Sequence, residues 1–510
     1  CWVMASKSCV VKGLKSMPGW KKGAYGTKLA DRICPLQKLP EDAPLAQFDN
    51  AILNSLQAIC GEGRVLTDDE SLLHYGRDWT RFHQPAPCAV VLPGTVEEVQ
   101  SIVRLAAEQR LSLVPSGGRT GLSAGGVACN GELVVALDRL NQINDFNPVD
   151  RTVSCGAGVI TEQLQQFAED QGLYYPVDFA SAGSSQIGGN ISTNAGGIKV
   201  IRYGMTRDWV AGIKLVTGTG ELLDLNRGLI KNNAGYDLRQ LVIGAEGTLG
   251  IVVEATMQLD RAPRDLAVLV LGTPDMAAIM QVLASFQAEI ELSAFEFFSE
   301  LALQKVVAHQ GLQRPFETPC EYYALLEFEQ ADETAMEKAM ALFEHCVEQG
   351  WVLDGTVSQS VAQAQNLWRL REDISETITP WTPYKNDIST VISKVPDFLA
   401  EVEAVVNTNY PDFDIVWFGH IGDGNVYLNI LKPESLPVDT FREQCGEVSK
   451  WVFEIVERYG GSVSAEHGVG LLKKDYLGYS RSAVEIDIMK QIKRVFDPHL
   501  IMNPGKIFDT

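Results

Sequence analysis

The sequence predicts an α+β fold built from two or three domains. The chain has 510 residues, which is more than one hydrophobic core usually supports. Its 45% hydrophobic and 21% charged residues are ordinary for a globular protein. Strand-like and helix-like segments both occur, but a regular β-α-β alternation does not persist along the chain. This pattern favours an α+β fold over a doubly wound sheet.

Charge, hydropathy and cysteine spacing argue against several classes of protein. The formal net charge of −22 argues against nucleic acid as a partner. No segment approaches the roughly 18 uninterrupted apolar residues of a membrane span, so no transmembrane segment is expected. The ten cysteines are scattered without C-x-x-C spacing, which disfavours a zinc finger or a redox dithiol and predicts buried free thiols.

Residues 1–47 differ in composition from the rest of the chain. They are rich in lysine and lack the apolar segment of a secretory signal. We interpret them as a basic, irregular N-terminal extension. A mitochondrial transit peptide is the alternative, although such peptides favour arginine over lysine.

Local signals predict the elements of the N-terminal half in order. A capping box from Thr95 to Glu98 opens a helix with one apolar face. A second helix starts at Thr161, and the sequence at 217–220, Thr-Gly-Thr-Gly, predicts a hairpin turn. Strands are predicted at 111–115, 133–137, 152–155, 210–215, 221–225 and 251–257.

The glycine-rich character of the chain fades at 261–264, where we place a domain boundary. Apolar runs after this boundary predict strands at 266–271 and 322–328. Helices are predicted at 276–286, 366–378, 398–409, 441–459 and 483–496.

Three glycine-rich loops stand out in the N-terminal half, at 115–126, 183–197 and 244–250. The first follows a strand, and its five glycines allow backbone N–H groups to converge on an anion. One such loop is more often a surface turn, but three together favour a large phosphate-bearing cofactor. The chain has no G-x-x-x-x-G-K-[ST] motif, and its one partial G-x-G-x-x-G match lies in the predicted hairpin. A P-loop and a Rossmann fold are therefore disfavoured.

Two glycine-punctuated turns near the C-terminus carry two of the seven histidines. His420 stands in the sequence Gly-His-Ile-Gly-Asp-Gly-Asn at 419–425. His467 follows Glu466 in the sequence Ala-Glu-His-Gly at 465–468. A carboxylate beside an imidazole suits the removal of a proton from a substrate, with or without a metal.

These turns form part of a longer ordered pattern. It includes Asn194-Ala195-Gly196-Gly197, Tyr203-Gly204, the loop at 244–250 and the closing Asn503-Pro504-Gly505-Lys506. On this pattern, residues 55–508 resemble the FAD-dependent D-2-hydroxyacid dehydrogenases of the vanillyl-alcohol oxidase / p-cresol methylhydroxylase superfamily, above all the D-2-hydroxyglutarate dehydrogenases. The resemblance implies a two-part FAD-binding domain at 48–262. A ferredoxin-like α+β substrate (cap) domain with C-terminal helices would follow at 263–498, and residues 499–510 would return to the flavin.

The resemblance also implies which residues bind FAD. The first loop would cradle the pyrophosphate, and the other two loops would hold the rest of the dinucleotide and the isoalloxazine ring. Many relatives attach the flavin covalently through a histidine of the first loop. This chain has no histidine there, so we expect non-covalent FAD. The cofactor-binding candidates are Pro115, Ser116, Gly117, Gly118, Arg119, Thr120, Gly121, Gln186, Gly188, Gly189, Asn194, Gly196, Gly197, Gly204, Glu246, Gly250, Ile251 and Asn503.

Oxidation of a 2-hydroxyacid requires a clamp for the carboxylate, a base for the hydroxyl proton and a hydride acceptor, which would be the flavin. Arginine suits the clamp because its planar fork pairs with a carboxylate at two points. Ser375 follows Arg371 by four residues and would share its helical face. The resemblance implies His467 as the catalytic base. The substrate-binding candidates that it implies are Arg371, Ser375, Lys385, Asn429 and His467.

The resemblance further implies a divalent, zinc-like metal. In the family, the histidine of the first turn, a second histidine seven residues later and the glutamate before the base bind it. Here His420 and Glu466 keep their places, but the third position is Tyr427, a weaker ligand because a phenol must lose its proton to bind metal. Catalytic zinc normally has three protein ligands. Weak metal binding, a Tyr427 phenolate ligand and metal-independent catalysis therefore all stay open.

The resemblance predicts an enzyme that oxidises D-2-hydroxyglutarate, and also D-malate, to the 2-oxoacid. The alternatives are a D-lactate or glycolate dehydrogenase and a catalytically weakened flavin-binding subunit of a larger complex. A small anionic 2-hydroxyacid would be the substrate, and an electron-transfer flavoprotein or a quinone the electron acceptor. A homodimer is compatible with the sequence. The expected location is the cytoplasm for a bacterial protein and the mitochondrial matrix for a eukaryotic one.

Overall fold

The structure, a computed structural model of the chain, describes residues 48–80, 82–330 and 334–510. The predicted basic extension at 1–47 lies outside these residues. Within them, no helix has the length and apolar character needed to cross a membrane. All cysteines of the described ranges are free thiols, and most of them are buried, as predicted.

A four-stranded sheet opens the described chain. Its strands β1 to β4 are Val65–Leu66, Ala89–Val91, Leu113–Ser116 and Leu133–Ala136. They lie in the order β1-β2-β4-β3, with β2, β4 and β3 parallel and β1 antiparallel to β2. The helices α1 to α3 around this sheet are Asn50–Cys60, Asp69–Tyr75 and Val96–Gln109.

The start of α3 differs in detail from the predicted capping box. Thr95 Oγ1 accepts the Glu98 N–H at 3.2 Å, as predicted. The Glu98 carboxylate, however, accepts the N–H of Gly94 at 2.6 Å, one residue before the position that a capping box requires. The predicted apolar face of the helix is buried.

A five-stranded antiparallel sheet follows and shares one hydrophobic core with the first sheet. Strands β5 to β11 are Ile143–Asn147, Thr152–Gly156, Leu173–Tyr174, Val210–Thr217, Leu222–Leu225, Gly250–Gln258 and Asp260–Arg261. The sheet has the order β5-β6-β10-β8-β9, and β7 pairs separately with β11. The hairpin predicted at 217–220 is confirmed, because β8 and β9 pair across it. The helices α4 to α8 are Thr161–Asp170, Ile187–Thr193, Val200–Tyr203, Thr206–Trp209 and Arg239–Val242.

The second half of the chain forms a seven-stranded antiparallel sheet in the order β15-β12-β14-β13-β17-β18-β16. Strands β12 to β18 are Leu266–Thr273, Leu292–Ser299, Tyr322–Glu329, Asp354–Val357, Tyr384–Ser389, Asp414–Gly419 and Asn425–Leu431. The first four strands have the fourth-first-third-second order of a ferredoxin-like unit. The α+β prediction with a ferredoxin-like second part is therefore confirmed.

Helices cover both faces of this sheet, except that the last helix of the chain packs through Ile492 and Phe496 against the core of the first two sheets. The helices α9 to α16 are Met276–Gln287, Glu300–Gln310, Thr334–Glu348, Val361–Glu372, Ile374–Thr377, Val395–Asn409, Val438–Tyr459 and Ala483–Phe496. The prediction of a single helix at 366–378 is wrong. The observed helix α12 starts earlier, at Val361, and is separated from α13 at Asp373, whose ψ of −6° departs from the helical value. As a result Arg371 is buried at the end of α12, while Ser375 is exposed on α13.

The C-terminal segment returns to the first sheet. Leu113 of β3 donates its N–H to Ile501 O at 2.7 Å, and its carbonyl accepts the N–H of Asn503 at 2.7 Å. This pairing lies just before the first glycine-rich loop. It brings Asn503 to the mouth of that loop.

Candidate active site

One face of the seven-stranded sheet gathers most of the predicted substrate residues. Tyr427 of β18 lies opposite Asp387 of β16 and Phe418 of β17, and Asn429 lies opposite Lys385. Alternate side chains along a strand share a face, and directly opposed residues lie on the same face. These side chains therefore form two adjacent rows beneath α12.

Arg371 extends from α12 toward these rows and is buried. Its Nη2 lies 2.8 Å from Glu296 Oε2, and its guanidinium lies 4.7 Å from the centre of the Phe418 ring. Its Nε has no hydrogen-bond partner in the described part of the chain. The guanidinium is thus held in place by charge and stacking while it keeps a donor for a further acceptor.

Lys385 and Ser375 contact each other at the open side of the site. Lys385 Nζ donates to Ser375 Oγ at 2.8 Å, and both residues are exposed. Asn429 lies beneath them and is buried. Its amide donates to the carbonyls of Val416 at 3.3 Å and Tyr427 at 3.2 Å. A substrate contact from Asn429 stays a prediction, because its donors already serve the sheet.

His467 lies beside a buried carboxylate. Its Nδ1 is 3.5 Å from Asp387 Oδ2, and its Nε2 is 3.7 Å from Glu466 Oε1. Asp387 Oδ2 also accepts the N–H groups of Glu466 at 3.1 Å and His467 at 3.0 Å, and Oδ1 accepts from Asn425 Nδ2 at 2.9 Å. Asp387 therefore holds both the imidazole and the turn that carries it.

The electrostatics keep Asp387 ionised. Burial alone would raise its pKa, but the nearby His467 and Lys473 and the two backbone N–H donors outweigh burial and lower it. Lys473 Nζ lies 3.8 Å from Asp387 Oδ2 and donates to its backbone carbonyl at 3.1 Å. A carboxylate that stays charged beside an imidazole stabilises the imidazolium that forms when the ring takes a proton.

His420, Tyr427 and Glu466, the three predicted metal ligands, form a hydrogen-bonded chain. His420 Nε2 is 3.0 Å from the Tyr427 hydroxyl, and this hydroxyl donates to Glu466 Oε1. The other ring nitrogen of His420, Nδ1, lies 2.8 Å from Glu296 Oε1. Burial lowers the pKa of His420, but the Glu296 carboxylate outweighs it and raises the pKa to about 9. A protonated His420 then donates to both Glu296 and Tyr427.

The glycine-rich loops contain buried polar atoms that lack partners. Gln186 Oε1 and Asn503 Oδ1 are buried and accept no hydrogen bond within the described ranges. Gly189 has no atom within 4 Å of the position that a Cβ would occupy. Arg119, in the left-handed region with φ of 61°, pairs with Asp138 at 3.0 Å. The loops therefore combine open backbone with unsatisfied acceptors, as a cradle for a polar ligand requires.

Three of the predicted cofactor residues already have structural roles. Asn194 Oδ1 accepts the Arg207 N–H at 3.0 Å, and Asn503 Nδ2 donates to the carbonyls of Gly125 at 2.9 Å and Glu246 at 2.6 Å. Ile251 is buried in the hydrophobic core. The other candidates lie at 115–121, 186–197, 204, 246 and 250, in or beside the loops. Their contacts with a cofactor stay predictions.

Glu246 joins the two halves of the site. Its carboxylate accepts the N–H groups of Val469 at 2.7 Å and Gly470 at 2.8 Å, directly after the turn that carries His467. Burial raises the pKa of Glu246, and these donors oppose that shift. A Cβ on Gly196 of the second loop would lie 2.9 Å from Glu466 Oε2. The turn with the proposed base is thus seated directly on the glycine-rich loops.

Three further residues of the site, Glu296, Asp387 and Lys473, are not indicated by the sequence motifs. Glu296 stands between phenylalanines in its strand, whereas Asp387 stands in the mostly polar strand Tyr384–Ser389 and shows no such signal; both are buried. A single acid in an apolar strand is itself a signal, because a buried carboxylate needs a partner. For Lys473 the sequence offers no comparable signal.

Asp387→Asn is expected to slow flavin reduction by substrate about a hundredfold, because a small displacement of a reacting group has effects of this size. The asparagine amide would present a donor to N–H groups that need an acceptor, and the His467 turn would shift. Anaerobic stopped-flow absorbance measures the rate. Asp414→Asn, at an exposed position at the start of β17, is the control. A rate for Asp387→Asn within twofold of the unaltered protein would contradict the positioning role.

Two family models match the chain. The model described as "FAD binding domain" matches residues 87–226, and the model described as "FAD linked oxidases, C-terminal domain" matches residues 262–507. Among solved structures, the chain is similar to p-cresol methylhydroxylase with bound substrate, with a TM-score of 0.70, 16% identity and coverage of 90% of this chain and 97% of the other. It is also similar to alkyldihydroxyacetonephosphate synthase, with a TM-score of 0.69, 18% identity and coverage of 91% and 87%. At these identities the similarity concerns the fold.

Curated relatives are much more similar in sequence. The chain is 65% identical over 460 residues to a D-2-hydroxyglutarate dehydrogenase of Stutzerimonas stutzeri (strain A1501), covering 90% of this chain and 99% of the relative. It is 56% identical to a protein of the same name from Xanthomonas citri pv. viticola, covering 89% and 96%. It is 35% identical to the mitochondrial D-2-hydroxyglutarate dehydrogenase of Bos taurus, covering 96% and 92%.

Proposed function

Because the chain belongs to the D-2-hydroxyglutarate dehydrogenase family of FAD-linked oxidases, we propose that it oxidises D-2-hydroxyglutarate to 2-oxoglutarate. The observation that carries the proposal is the arrangement on one face of the second sheet. Arg371 and Lys385 supply two cationic groups, and His467 lies beside the ionised Asp387. A dicarboxylate with a 2-hydroxyl group matches this set of two cations and one base.

The chain contains an FAD-binding domain, and the loops fit the cofactor. The unpaired Gln186 Oε1 and Asn503 Oδ1 and the open backbone at Gly189 are features that a polar dinucleotide would satisfy. When bound, FAD supplies the acceptor for the hydride that leaves C2 of the substrate. We propose that it is held without a covalent bond, since the first loop has no histidine.

The residues of the chain have separate tasks in this proposal. Arg371 binds the carboxylate next to the reacting carbon, and Lys385 binds the distal carboxylate. His467 takes the proton of the 2-hydroxyl group, and Asp387 holds the imidazole and stabilises its protonated form. The bonds from Glu246 to the turn keep His467 over the flavin loops.

A divalent metal does not fit the donors that the chain presents. His420 Nε2 and Glu466 Oε1, the two strong donors, are both engaged by the Tyr427 hydroxyl. Burial, followed by the charge of Glu466, raises the pKa of Tyr427 well above its usual value, so the hydroxyl keeps the proton that it donates to Glu466. No cluster of three or more His, Cys, Asp or Glu side chains suited to a metal exists in the described ranges. The proposed reaction therefore contains no step on a metal.

Anaerobic titration with a panel of D- and L-2-hydroxyacids tests the proposed function. D-2-Hydroxyglutarate should bleach the flavin absorbance fastest, D-malate more slowly, and the L-enantiomers should leave it unchanged. Faster bleaching by D-lactate or glycolate would contradict the choice of substrate. A yellow protein that no hydroxyacid bleaches would instead support a catalytically weakened subunit.

We propose that an electron-transfer flavoprotein or a quinone re-oxidises the reduced flavin.

Lys385→Met should discriminate between the two carboxylates of the substrate. Loss of a hydrogen bond between charged groups is expected to lower kcat/KM for D-2-hydroxyglutarate about tenfold to a hundredfold. D-Lactate lacks the distal carboxylate and serves as the matched control substrate, with an expected change of less than about threefold. Equal losses for both acids in steady-state assays would contradict a distal role for Lys385.

A further inference from the structure

Tyr427 occupies the centre of the site, although neither the clamp nor the base depends on it directly. Its hydroxyl lies 3.0 Å from His420 Nε2 and donates to Glu466 Oε1. Its ring is nearly parallel to that of His467, with an angle of 22° between the planes and 5.9 Å between the centroids. The Arg371 guanidinium also lies 5.9 Å from the centre of the Tyr427 ring. The Tyr427 side chain therefore lies next to the proposed clamp Arg371, the proposed base His467, and both His420 and Glu466.

The position of the hydroxyl is fixed by the sheet. Tyr427 pairs directly with Asp387 on one side and with Phe418 on the other, so its side chain can only face α12. His420 follows the end of β17 and is held by Glu296 at 2.8 Å, so its Nε2 is directed at Tyr427. Glu466 is held at the other end by the bond from its N–H to Asp387 at 3.1 Å. His420 Nε2 and Glu466 Oε1 therefore approach the hydroxyl from opposite sides.

We infer that the Tyr427 hydroxyl replaces a divalent cation in this site, joining His420 to Glu466 by hydrogen bonds, and that the oxidation proceeds without a metal. This inference rests on the proposed function for its catalytic part. A cation would need a free lone pair on Nε2, which instead carries the proton donated to the hydroxyl, and the lone pair of Oε1 that accepts the hydroxyl proton. The hydroxyl satisfies both groups without ionising, because it accepts from one and donates to the other.

Tyr427 acts here as a positioning residue. Through its bond to Glu466 it keeps that carboxylate 3.7 Å from His467 Nε2. Through its ring it limits the space between Arg371 and the imidazole. The proton and the hydride leave the substrate as described above, the first to His467 and the second to the flavin, so the atom and electron balance is unchanged by the absence of a cation.

Zinc binding by the purified holoprotein tests the inference independently of turnover. Isothermal titration with Zn²⁺ and metal analysis after dialysis should find less than about 0.1 equivalent in the unaltered protein. Tyr427→His places an imidazole on the same face of β18 and should bind about one equivalent, since it completes three protein ligands. Tyr236→His adds a histidine at a tyrosine that is 97% exposed, and it should bind no more zinc than the unaltered protein.

Flavin reduction before and after treatment with a chelator supplies the second readout. The unaltered protein should keep its rate, whereas Tyr427→His should lose activity with the chelator and regain it with Zn²⁺. Tyr427→Phe, which keeps the ring but leaves His420 and Glu466 unjoined, should be slower by about tenfold or more at an unchanged flavin spectrum.

Two outcomes would overturn the inference. One is stoichiometric zinc in the unaltered protein with a rate that chelation abolishes and zinc restores. The other is a Tyr427→His variant that binds no more zinc than the Tyr236→His control. If no hydroxyacid reduces the flavin, the proposed function fails, but the zinc titrations still decide whether Tyr427 has replaced the cation.

Discussion

His467→Asn should slow the reduction of bound flavin by D-2-hydroxyglutarate about 10²- to 10⁴-fold, the range over which a positioned base contributes to catalysis. Asparagine approximates the shape of histidine but cannot take the hydroxyl proton. The turn should stay in place, because Asp387 and Glu246 bind backbone N–H groups that the substitution leaves intact. The loss should therefore appear in the rate of reduction and not in the binding of substrate or flavin.

Stopped-flow absorbance under anaerobic conditions measures this rate, and a flavin spectrum with its usual shape shows that the cofactor site is preserved. His345→Asn is the matched control, since His345 is exposed on α11 and far from the site along the chain. Reduction of His467→Asn within tenfold of the unaltered protein would assign the base to another residue.

Arg371→Met should lower kcat/KM for D-2-hydroxyglutarate by about 30- to 4,000-fold. Removing one partner of a buried, hydrogen-bonded charge pair costs about 2–5 kcal/mol, and each 1.4 kcal/mol is about tenfold. The substrate carboxylate loses its two-point partner, and Glu296 keeps only His420 as a cationic neighbour. Most of the effect should appear in KM if Arg371 binds substrate and transition state equally.

Arg369→Met is the matched control for this experiment. Arg369 lies on the same helix, but it pairs with Asp373 and its side chain is 43% exposed. Arg371→Lys supplies a second comparison, since lysine keeps the charge near Glu296 but loses the planar fork and the stacking on Phe418. Recovery of full kcat/KM by lysine would show that charge alone suffices. An unchanged KM in the methionine variant would remove Arg371 from the clamp.

Most helices and strands could be predicted because their signals are local. The helix after Thr95 shows its apolar face within four turns, and the glycines at 218 and 220 mark a hairpin that needs no distant contact. The one wrong helix prediction also has a physical reason. The helix at 366–378 was predicted as continuous, because nothing in the side chains around Asp373 indicates the turn there.

Several residues of the candidate site were predicted from the sequence, but the ion pairs and hydrogen bonds between them were not. Arg371, Lys385 and His467 followed from a resemblance of ordered motifs. Glu296 and Asp387 were missed, since the role of a carboxylate depends on the groups around it in space, and their charged partners Arg371 and His467 lie 75 and 80 residues away in the chain.

The sequence alone predicted the cofactor class and the family and supplied the candidates for the clamp and the base, because glycine spacing and motif order are properties of the chain itself. It also showed that Tyr427 departs from the family pattern, but it left three interpretations of that departure open. Only the tertiary structure brought the Tyr427 hydroxyl between His420 and Glu466. Strand pairing decided this, since the register of β16, β17 and β18 fixes which side chains share a face and which atoms meet.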